Sequence, residues 1–214
     1  MNKVFTLLAR TAALAGFRNS RDYWEKRYRF GGHSGEGSRG ESARYKADVV
    51  NNFIRMHGIE SLVEFGCGDG YQLGMFEVRN YLGIDISPTI LAQCRSMYQQ
   101  DKHKSFLLDK DYSSQTADLA MSMDVIFHLV EDAVYDAYMT RLFEAGSRYV
   151  MIYSTSADMQ NTGTPHVRHR NVATDVAVRF GNFSRMHGLE SQLPEPVRFD
   201  RGLPTSFFLY QRTT

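Results

Sequence analysis

The glycine-rich run "SLVEFGCGDGYQL", residues 61–73, is the feature that most constrains the fold of this chain. Its first half is short, apolar and closed by glycine, which is typical of a buried parallel strand. Gly66, Gly68 and Gly70 then occupy alternate positions. Because glycine has no Cβ atom, such a backbone can turn sharply and a ligand can approach its amides. We therefore predict a strand, a ligand-binding loop and a helix that begins near Tyr71.

From about residue 42 the chain alternates helical patterns with short apolar runs, which is typical of βαβ units. A helical pattern in "SARYKADVVNNFIRMH" ends at Gly58, a residue that suits a left-handed cap. Ser87 followed by Pro88 indicates another helix start. Further strands are predicted in "YLGIDI", "SFLLD", "ADLAMSM" and "RYVMIYS", and a helix over residues 131–143.

The end of the chain predicts a change of strand direction. The aromatic run "TSFFLYQR" reads as a strand, and residues 182–204 are expected to return antiparallel to it at the sheet edge. The fold class is therefore α/β, with a mostly parallel sheet and an antiparallel C-terminal strand. Residues 42–214 are predicted to form a single domain, preceded by a helical and glycine-rich segment of residues 1–41.

Composition favours a small-molecule partner. The chain has 214 residues, 43% of them hydrophobic, and 25 Lys and Arg against 24 Asp and Glu leave a net charge of +1. Without a basic excess we expect no nucleic-acid partner. Cys67 and Cys94 have neither the number nor the spacing of a disulfide framework or zinc site, so a cytoplasmic, metal-free protein is expected.

The N-terminal run "MNKVFTLLARTAALAGF" is predicted to be a helix, because its apolar residues fall on one face. Arg10 interrupts the apolar stretch and argues against a secretion signal. We favour a helix packed on the domain. Contact of residues 4–17 with a membrane surface is the alternative.

Two carboxylates accompany the glycine loop. Asp85 ends the second strand, where a carboxylate can accept hydrogen bonds from ribose hydroxyls, and Glu64 lies just before the loop. Tyr71 stands where a dinucleotide fingerprint needs its third glycine, which disfavours pyrophosphate. A negative site without a phosphate clamp suits a cationic nucleoside.

The pattern E-x-G-x-G-x-G from Glu64 to Gly70, Asp85, and "ADLAMSMDVIFHLVED" around the fourth strand resemble the class I S-adenosylmethionine-dependent methyltransferases. The resemblance covers roughly residues 42–154. It implies a Rossmann-like sheet and S-adenosyl-L-methionine as cofactor. It further implies that Glu64, Gly66 and Gly68 surround the methionine part of that cofactor and that Asp85 holds its ribose.

The resemblance also implies that Asp109 lies near the adenine, with Asp111 as the alternative. The full donor-binding set that it implies is Ser34, Gly35, Glu64, Gly66, Gly68, Asp85, Ile86, Asp109 and Met123.

Two regions offer catalytic candidates. Asp124 and His128 follow the fourth strand, where His128 is either a general base or a packing residue. The run "PHVRHR" brings His166, Arg168, His169 and Arg170 together after the fifth strand. If that run is extended, alternate side chains share one side and can face an anion. We expect His166 or His169 as base and Arg168 or Arg170 as anion clamp in O-methylation of an anionic small molecule or glycan.

The whole chain, including the runs "YWEKRYRFGGHSGEGSRG" and "PHVRHR", further resembles small bacterial methyltransferases of surface-polysaccharide and capsule modification. That resemblance implies a sugar hydroxyl or a phosphate-type oxygen as the acceptor. Two other classes stay open. An NAD(P)-dependent oxidoreductase would use the same kind of sheet but needs the third glycine, and a nonenzymatic member would bind the cofactor only.

The run "GEGSRG", residues 35–40, matches the written phosphate-loop pattern but follows "RYRFGGHS", which is not a buried strand. Five glycines lie between Gly31 and Gly40, and we expect residues 31–40 to form a flexible lid that closes over the site, with a plain linker as the alternative. Tyr23, Trp24 and Tyr28 are then candidate walls, and Tyr28 is a candidate for substrate binding.

Overall fold

The computed structural model describes residues 17–155, 164–187 and 205–213. These residues form a seven-stranded sheet in the order β3-β2-β1-β4-β5-β7-β6. Strands β1 to β5 are parallel, and β7 pairs antiparallel with both β5 and β6. The predicted fold class and the antiparallel return at the C-terminal edge are therefore confirmed. The strands are β1 Ser61–Phe65, β2 Asn80–Asp85, β3 Lys104–Leu108, β4 Ala117–Met123, β5 Gly146–Thr155, β6 Phe183–Arg185 and β7 Thr205–Arg212.

Helices cover both faces of the sheet. They are α1 Ser20–Arg29, α2 Gly40–His57, α3 Pro88–Met97, α4 Asp132–Ala145 and α5 Val172–Arg179. The apolar residues of α2 and α3 pack in one core cluster, and those of α4 and α5 pack in a second cluster on the opposite face. This three-layer arrangement leaves the carboxyl ends of the parallel strands free to carry a site.

Local signals set the ends of two helices as predicted. Helix α2 is capped by Gly58, whose φ of 57° is left-handed. Helix α3 begins at Pro88, and the Ser87 hydroxyl accepts a hydrogen bond of 3.2 Å from the backbone N–H of Ile90.

The helix predicted near Tyr71 is wrong. Only a 3-10 turn, Gln72–Met75, lies between β1 and β2. The Asn51 side chain donates to the carbonyl of Met75 at 2.8 Å and accepts from the N–H of Glu77 at 2.9 Å. Because a side chain from α2 satisfies these backbone groups, the short crossover needs no helix of its own.

Helix α1 lies across the carboxyl edge of the sheet. The Ser20 hydroxyl donates to the Glu131 carboxylate at 2.7 Å. At the other end of the edge, the Glu25 carboxylate accepts hydrogen bonds from the hydroxyls of Ser87 at 2.5 Å and Thr89 at 2.7 Å. The helix thus forms a roof over the strand ends.

The helix predicted over residues 4–17 lies almost wholly outside the described residues. Within the described part of the chain, no helix combines the length and the apolar character that crossing a membrane requires.

Candidate active site

A cavity of about 370 Å³ opens between the roof helix α1 and the carboxyl ends of β1, β2 and β4. Its size lies within the usual range for small-molecule sites. Of the predicted donor residues, Gly35 is not on the cavity wall. The others line it: Ser34, Glu64, Gly66, Gly68, Asp85, Ile86, Asp109 and Met123. The glycine loop and the lid run, which are about thirty residues apart in the chain, therefore meet at one site.

The glycine loop is held between β4 and the lid with no room for side chains. Gly66 has a φ of 78°, and a Cβ atom there would lie 2.4 Å from Cγ2 of Val125. Gly68 has a φ of 56°, and its Cβ would lie 2.3 Å from the hydroxyl oxygen of Ser34. Both positions require glycine because of conformation and of space. The loop backbone can therefore approach a ligand closely.

Asp85 is fixed by the loop backbone. One carboxylate oxygen accepts from the N–H of Gly68 at 3.0 Å and the other from the N–H of Ser87 at 2.9 Å. Burial raises the pKa of Asp85 to about 6, although the backbone hydrogen bonds act in the opposite direction. Each oxygen keeps a lone pair, so the carboxylate can still accept hydrogen bonds from two hydroxyls of a ligand.

Asp109 lies on the cavity wall, whereas Asp111 is exposed and off it. The Asp109 carboxylate pairs with Arg21 of the roof helix at 3.0 Å and with Arg141 of α4 at 2.9 Å. Of the two aspartates that the sequence left open, Asp109 is the one in position to contact a ligand.

The charged residues of the cavity wall are predominantly acidic. Its carboxylates are Glu64, Asp69, Asp85, Asp109, Asp124 and Glu131. Burial raises the pKa of Glu64 to about 7, while the Tyr81 hydroxyl that donates to it and the Lys46 charge pull it down. The only arginines on the described wall, Arg21 and Arg141, are both taken by Asp109. This set of acidic side chains fits a cationic nucleoside such as S-adenosylmethionine, and it offers no clamp for a pyrophosphate.

His128 also lines the cavity, in a 3-10 turn after β4. Its Nδ1 lies 3.0 Å from the carbonyl oxygen of His166. A carbonyl oxygen can only accept, so Nδ1 carries the hydrogen and Nε2 keeps its lone pair. Burial lowers the pKa of His128 to about 3, so the imidazole is neutral at physiological pH.

His166 and His169 are placed behind the wall and do not line the cavity. The His166 ring stacks on Tyr23 at 4.3 Å and lies parallel to the His128 ring at 5.7 Å. Nδ1 of His169 lies 2.9 Å from the Thr155 hydroxyl, and the residue is 1% exposed. Neither ring is therefore in position to act directly as a base on a ligand in the cavity. The His166 carbonyl instead holds the His128 ring in place.

The predicted anion clamp is not formed. Arg168 and Arg170 do share one side, but both donate to Asp132, at 2.7 and 2.8 Å, and neither lines the cavity. Arg170 also donates to the carbonyl of Leu129. These guanidiniums tie the start of α4 to the loop before it. Tyr28, the third predicted acceptor residue, does line the cavity, with its hydroxyl 3.3 Å from that of Ser34.

The lid run contacts the glycine loop directly. The Ser34 N–H donates to the Asp69 carboxylate at 2.9 Å, and the Asp69 N–H donates to the Ser34 hydroxyl at 3.0 Å. Arg39 pairs with the same carboxylate and lies over the Tyr71 ring at 4.2 Å. In this arrangement residues 34–39 cover the loop side of the cavity.

Sequence reasoning missed Lys46, whose side chain is fully buried and paired with Asp124. The signal was present, because Lys46 falls on the same helical stripe as the buried Ala43, Ala47 and Val50 of α2. A lysine on the apolar stripe of a helix requires a buried partner.

Residues 63–151 match the family model described as a methyltransferase domain. No curated protein matches the chain.

Solved structures share the fold at low identity. A magnesium protoporphyrin IX methyltransferase from Synechocystis PCC 6803 with bound SAH is 15% identical over 84% of this chain and 90% of its own, with a TM-score of 0.60. The N-methyltransferase NodS from Bradyrhizobium japonicum WM9 is 12% identical over 80% and 98%, with a TM-score of 0.58. The small RNA methyltransferase HEN1 is 16% identical over 83% of this chain and 26% of its own, with a TM-score of 0.58.

Proposed function

We propose that this protein is a class I S-adenosylmethionine-dependent methyltransferase and that it methylates a hydroxyl oxygen of an uncharged sugar ring. The observation that carries the choice is His128, a neutral imidazole on the cavity wall whose Nδ1 is engaged by a carbonyl and whose Nε2 keeps its lone pair. Such a nitrogen can accept the proton that a hydroxyl loses on methylation.

The donor side of the cavity would be formed by the glycine loop and two aspartates. Asp85 has lone pairs left for the ribose hydroxyls, and the Gly66 and Gly68 backbone admits the methionine part at close range. Asp109, which pairs with two arginines, would lie near the adenine ring of the cofactor. The acidic wall favours the positive charge of the sulfonium.

The acceptor side would be formed by the aromatic wall. Trp24 and Tyr28 of the roof helix line the cavity, and the Trp24 ring packs edge-on against His128 at 4.9 Å. Among the described wall residues no cation is left over for an anion. An anionic acceptor, expected from Arg168 and Arg170, therefore has less support than a neutral sugar hydroxyl, and a phosphate-type oxygen is disfavoured for the same reason.

The chemistry needs alignment above all. When bound, S-adenosylmethionine supplies a methyl group whose bond to sulfur breaks as the bond to the acceptor oxygen forms. The acceptor oxygen becomes positively charged in that step, so its proton is strongly acidic. Even a weak base such as His128 Nε2 can then take it, and its low pKa keeps it unprotonated beforehand.

The resemblance to enzymes of surface-polysaccharide modification points to the same acceptor class. None of the matched proteins described above carries that assignment, so it stays a prediction. HEN1 is named as a small RNA methyltransferase, which makes RNA an acceptor that the experiment has to include.

The donor assignment is tested by calorimetry with S-adenosylmethionine. We expect micromolar binding to the wild type and none to Asp85→Ala, and equal binding to both would overturn the assignment.

The acceptor is tested with methyl-labelled cofactor on a panel of neutral oligosaccharides, sugar phosphates and RNA oligonucleotides, read by mass spectrometry. We expect label on a neutral sugar hydroxyl, and label on a phosphate oxygen or on RNA alone would overturn that acceptor class. His128→Ala should lower turnover by about 100-fold, the lower range for loss of a general base. His169→Ala is the matched control, and it should retain most turnover because the His169 ring does not line the cavity.

A further inference from the structure

Lys46 is a charged residue inside the core. Its side chain is 0% exposed, its ammonium donates to Oδ2 of Asp124, and it lies 5.1 Å from the centroid of the Tyr153 ring. Burying a lysine is unfavourable unless it is paired, and a buried pair often gives no more stability than apolar residues of similar size. Stability alone therefore does not explain why the Lys46–Asp124 ion pair is buried.

Asp124 has an unusual backbone. It follows β4, and with a φ of 58° it is the only non-glycine residue of positive φ among the described residues. Its N–H donates to the carbonyl of Tyr153 at 3.0 Å. A left-handed conformation in a residue with a side chain is strained and persists where neighbours enforce it. Such conformations concentrate at functional sites.

The position of Asp124 connects this pair to the cavity. Asp124 lines the wall, and its side chain is 18% exposed, whereas Lys46 lies behind it and does not reach the wall. The lid closes over the same carboxylate, because a Cβ atom on Gly37 would lie 3.2 Å from Oδ2. With Oδ2 held by Lys46, Oδ1 is the oxygen left to contact a ligand.

We propose that Lys46 is a positioning residue, which holds Asp124 in its left-handed conformation so that Oδ1 accepts a hydrogen bond from a sugar hydroxyl next to the one that is methylated. Asp124 then orients the sugar ring so that the reacting oxygen faces the donor methyl group, and His128 takes the proton of that reacting oxygen. The inference rests on the proposed methyl transfer to a hydroxyl. It assigns to Lys46 a role in catalysis without any contact with substrate or cofactor.

A purely structural role makes a different prediction. If the pair only stabilises the fold, then Lys46→Met lowers the melting temperature but leaves the turnover of each folded molecule unchanged. If Lys46 positions Asp124, kcat falls by about 100-fold, because a small misplacement of a reacting group has an effect of that size. The affinity for S-adenosylhomocysteine changes by less than about twofold in either case, since the donor is held by other residues.

The test compares Lys46→Met, Asp124→Asn and the double variant, with Lys104→Met as the matched control. Lys104 also pairs with an aspartate, Asp101 at 3.4 Å, but at the start of β3 and so at the opposite edge of the sheet. We expect kcat to fall to a similar extent in all three variants of the pair and to stay unchanged in the control. The double variant leaves no unpaired charge, which keeps the test valid if Lys46→Met does not fold.

A second readout needs no acceptor. The one-bond Cα–Hα coupling of Asp124, measured by NMR, reports the sign of φ, and we expect it to change in Lys46→Met. Retention of the left-handed value together with wild-type kcat in the double variant would overturn the inference. If the wild type methylates no sugar, the proposed function fails, and the coupling alone decides whether Lys46 holds Asp124.

Discussion

A Cβ atom on Gly68 would lie 2.3 Å from the hydroxyl oxygen of Ser34, so the glycine loop and the lid touch at van der Waals distance. Ser34 is fixed there by reciprocal hydrogen bonds with Asp69. The lid segment, which contains the run that resembled a phosphate loop in the sequence, therefore lies against the loop predicted to bind the ligand. One side chain at Gly68 would separate the two.

Gly68→Ala should detach the lid and weaken the donor site. The new methyl group cannot fit beside Ser34, and we expect the affinity for S-adenosylhomocysteine to fall by at least tenfold in calorimetry. Gly31→Ala is the matched control, because Gly31 also has a positive φ, 77°, but nothing lies within 4 Å of its Cβ position. Both variants lose about 1–2 kcal/mol of stability to backbone strain. Equal affinities in the two variants would show that contact with the lid does not matter.

Asp69→Ala should loosen the lid without touching its sequence. Asp69 accepts the N–H of Ser34 and pairs with Arg39, so its removal frees both ends of the 3-10 turn Glu36–Ser38. We expect faster hydrogen exchange in residues 34–39, measured by mass spectrometry, and partial restoration of protection when S-adenosylhomocysteine is added. Asp118→Ala serves as control, since Asp118 also accepts backbone N–H groups but at the amino edge of the sheet. Unchanged exchange in Asp69→Ala would contradict the lid.

Glu64→Gln should stabilise the protein at alkaline pH. Burial raises the pKa of Glu64 from 4.5 to about 7, so the folded state binds more protons than the unfolded state between these values. The contribution of Glu64 to the free energy of unfolding therefore falls as pH rises through that window and stays low above it.

With about 1.4 kcal/mol for each pKa unit, the variant should gain on the order of 3 kcal/mol at pH 8 and almost nothing near pH 4.5. Urea unfolding at both pH values measures the difference. The exposed Glu60→Gln should show no such change, and a Glu64→Gln variant less stable than the wild type at pH 8 would refute the expectation.

The framework of the fold could be predicted because its signals are local. The cap at Gly58 and the Ser87–Pro88 helix start depend only on neighbouring residues, and both are as expected. The crossover after Tyr71 could not be predicted, since its backbone is satisfied by Asn51, which lies on another helix. Asn51, which lies twenty or more positions earlier in the chain, therefore determines that this segment forms a turn and not a helix.

The positions of the catalytic candidates were predictable for the first pair only. Asp124 directly follows β4 and His128 lies in the turn after it, so topology alone brings them to the cavity. The "PHVRHR" run turns, with the N–H of Val167 donating to the carbonyl of Thr164, and its arginines meet Asp132. The sequence pattern correctly predicted that Arg168 and Arg170 lie on the same side. It did not predict that both pair with Asp132 and leave no guanidinium for an anion, because Asp132 belongs to a separate helix.

Donor affinity should fall in acid because of Asp85. Its pKa is raised by burial to about 6, and hydrogen bonds from ribose hydroxyls favour the ionised form, so binding lowers this pKa and becomes weaker as pH falls through 6. We expect S-adenosylhomocysteine to bind about tenfold more weakly at pH 5 than at pH 8, by calorimetry in the Glu64→Gln background, which removes the second buried acid. Asp85→Asn should bind weakly at both pH values with no step between them. A step that survives in Asp85→Asn would assign the titration to another group and contradict the prediction.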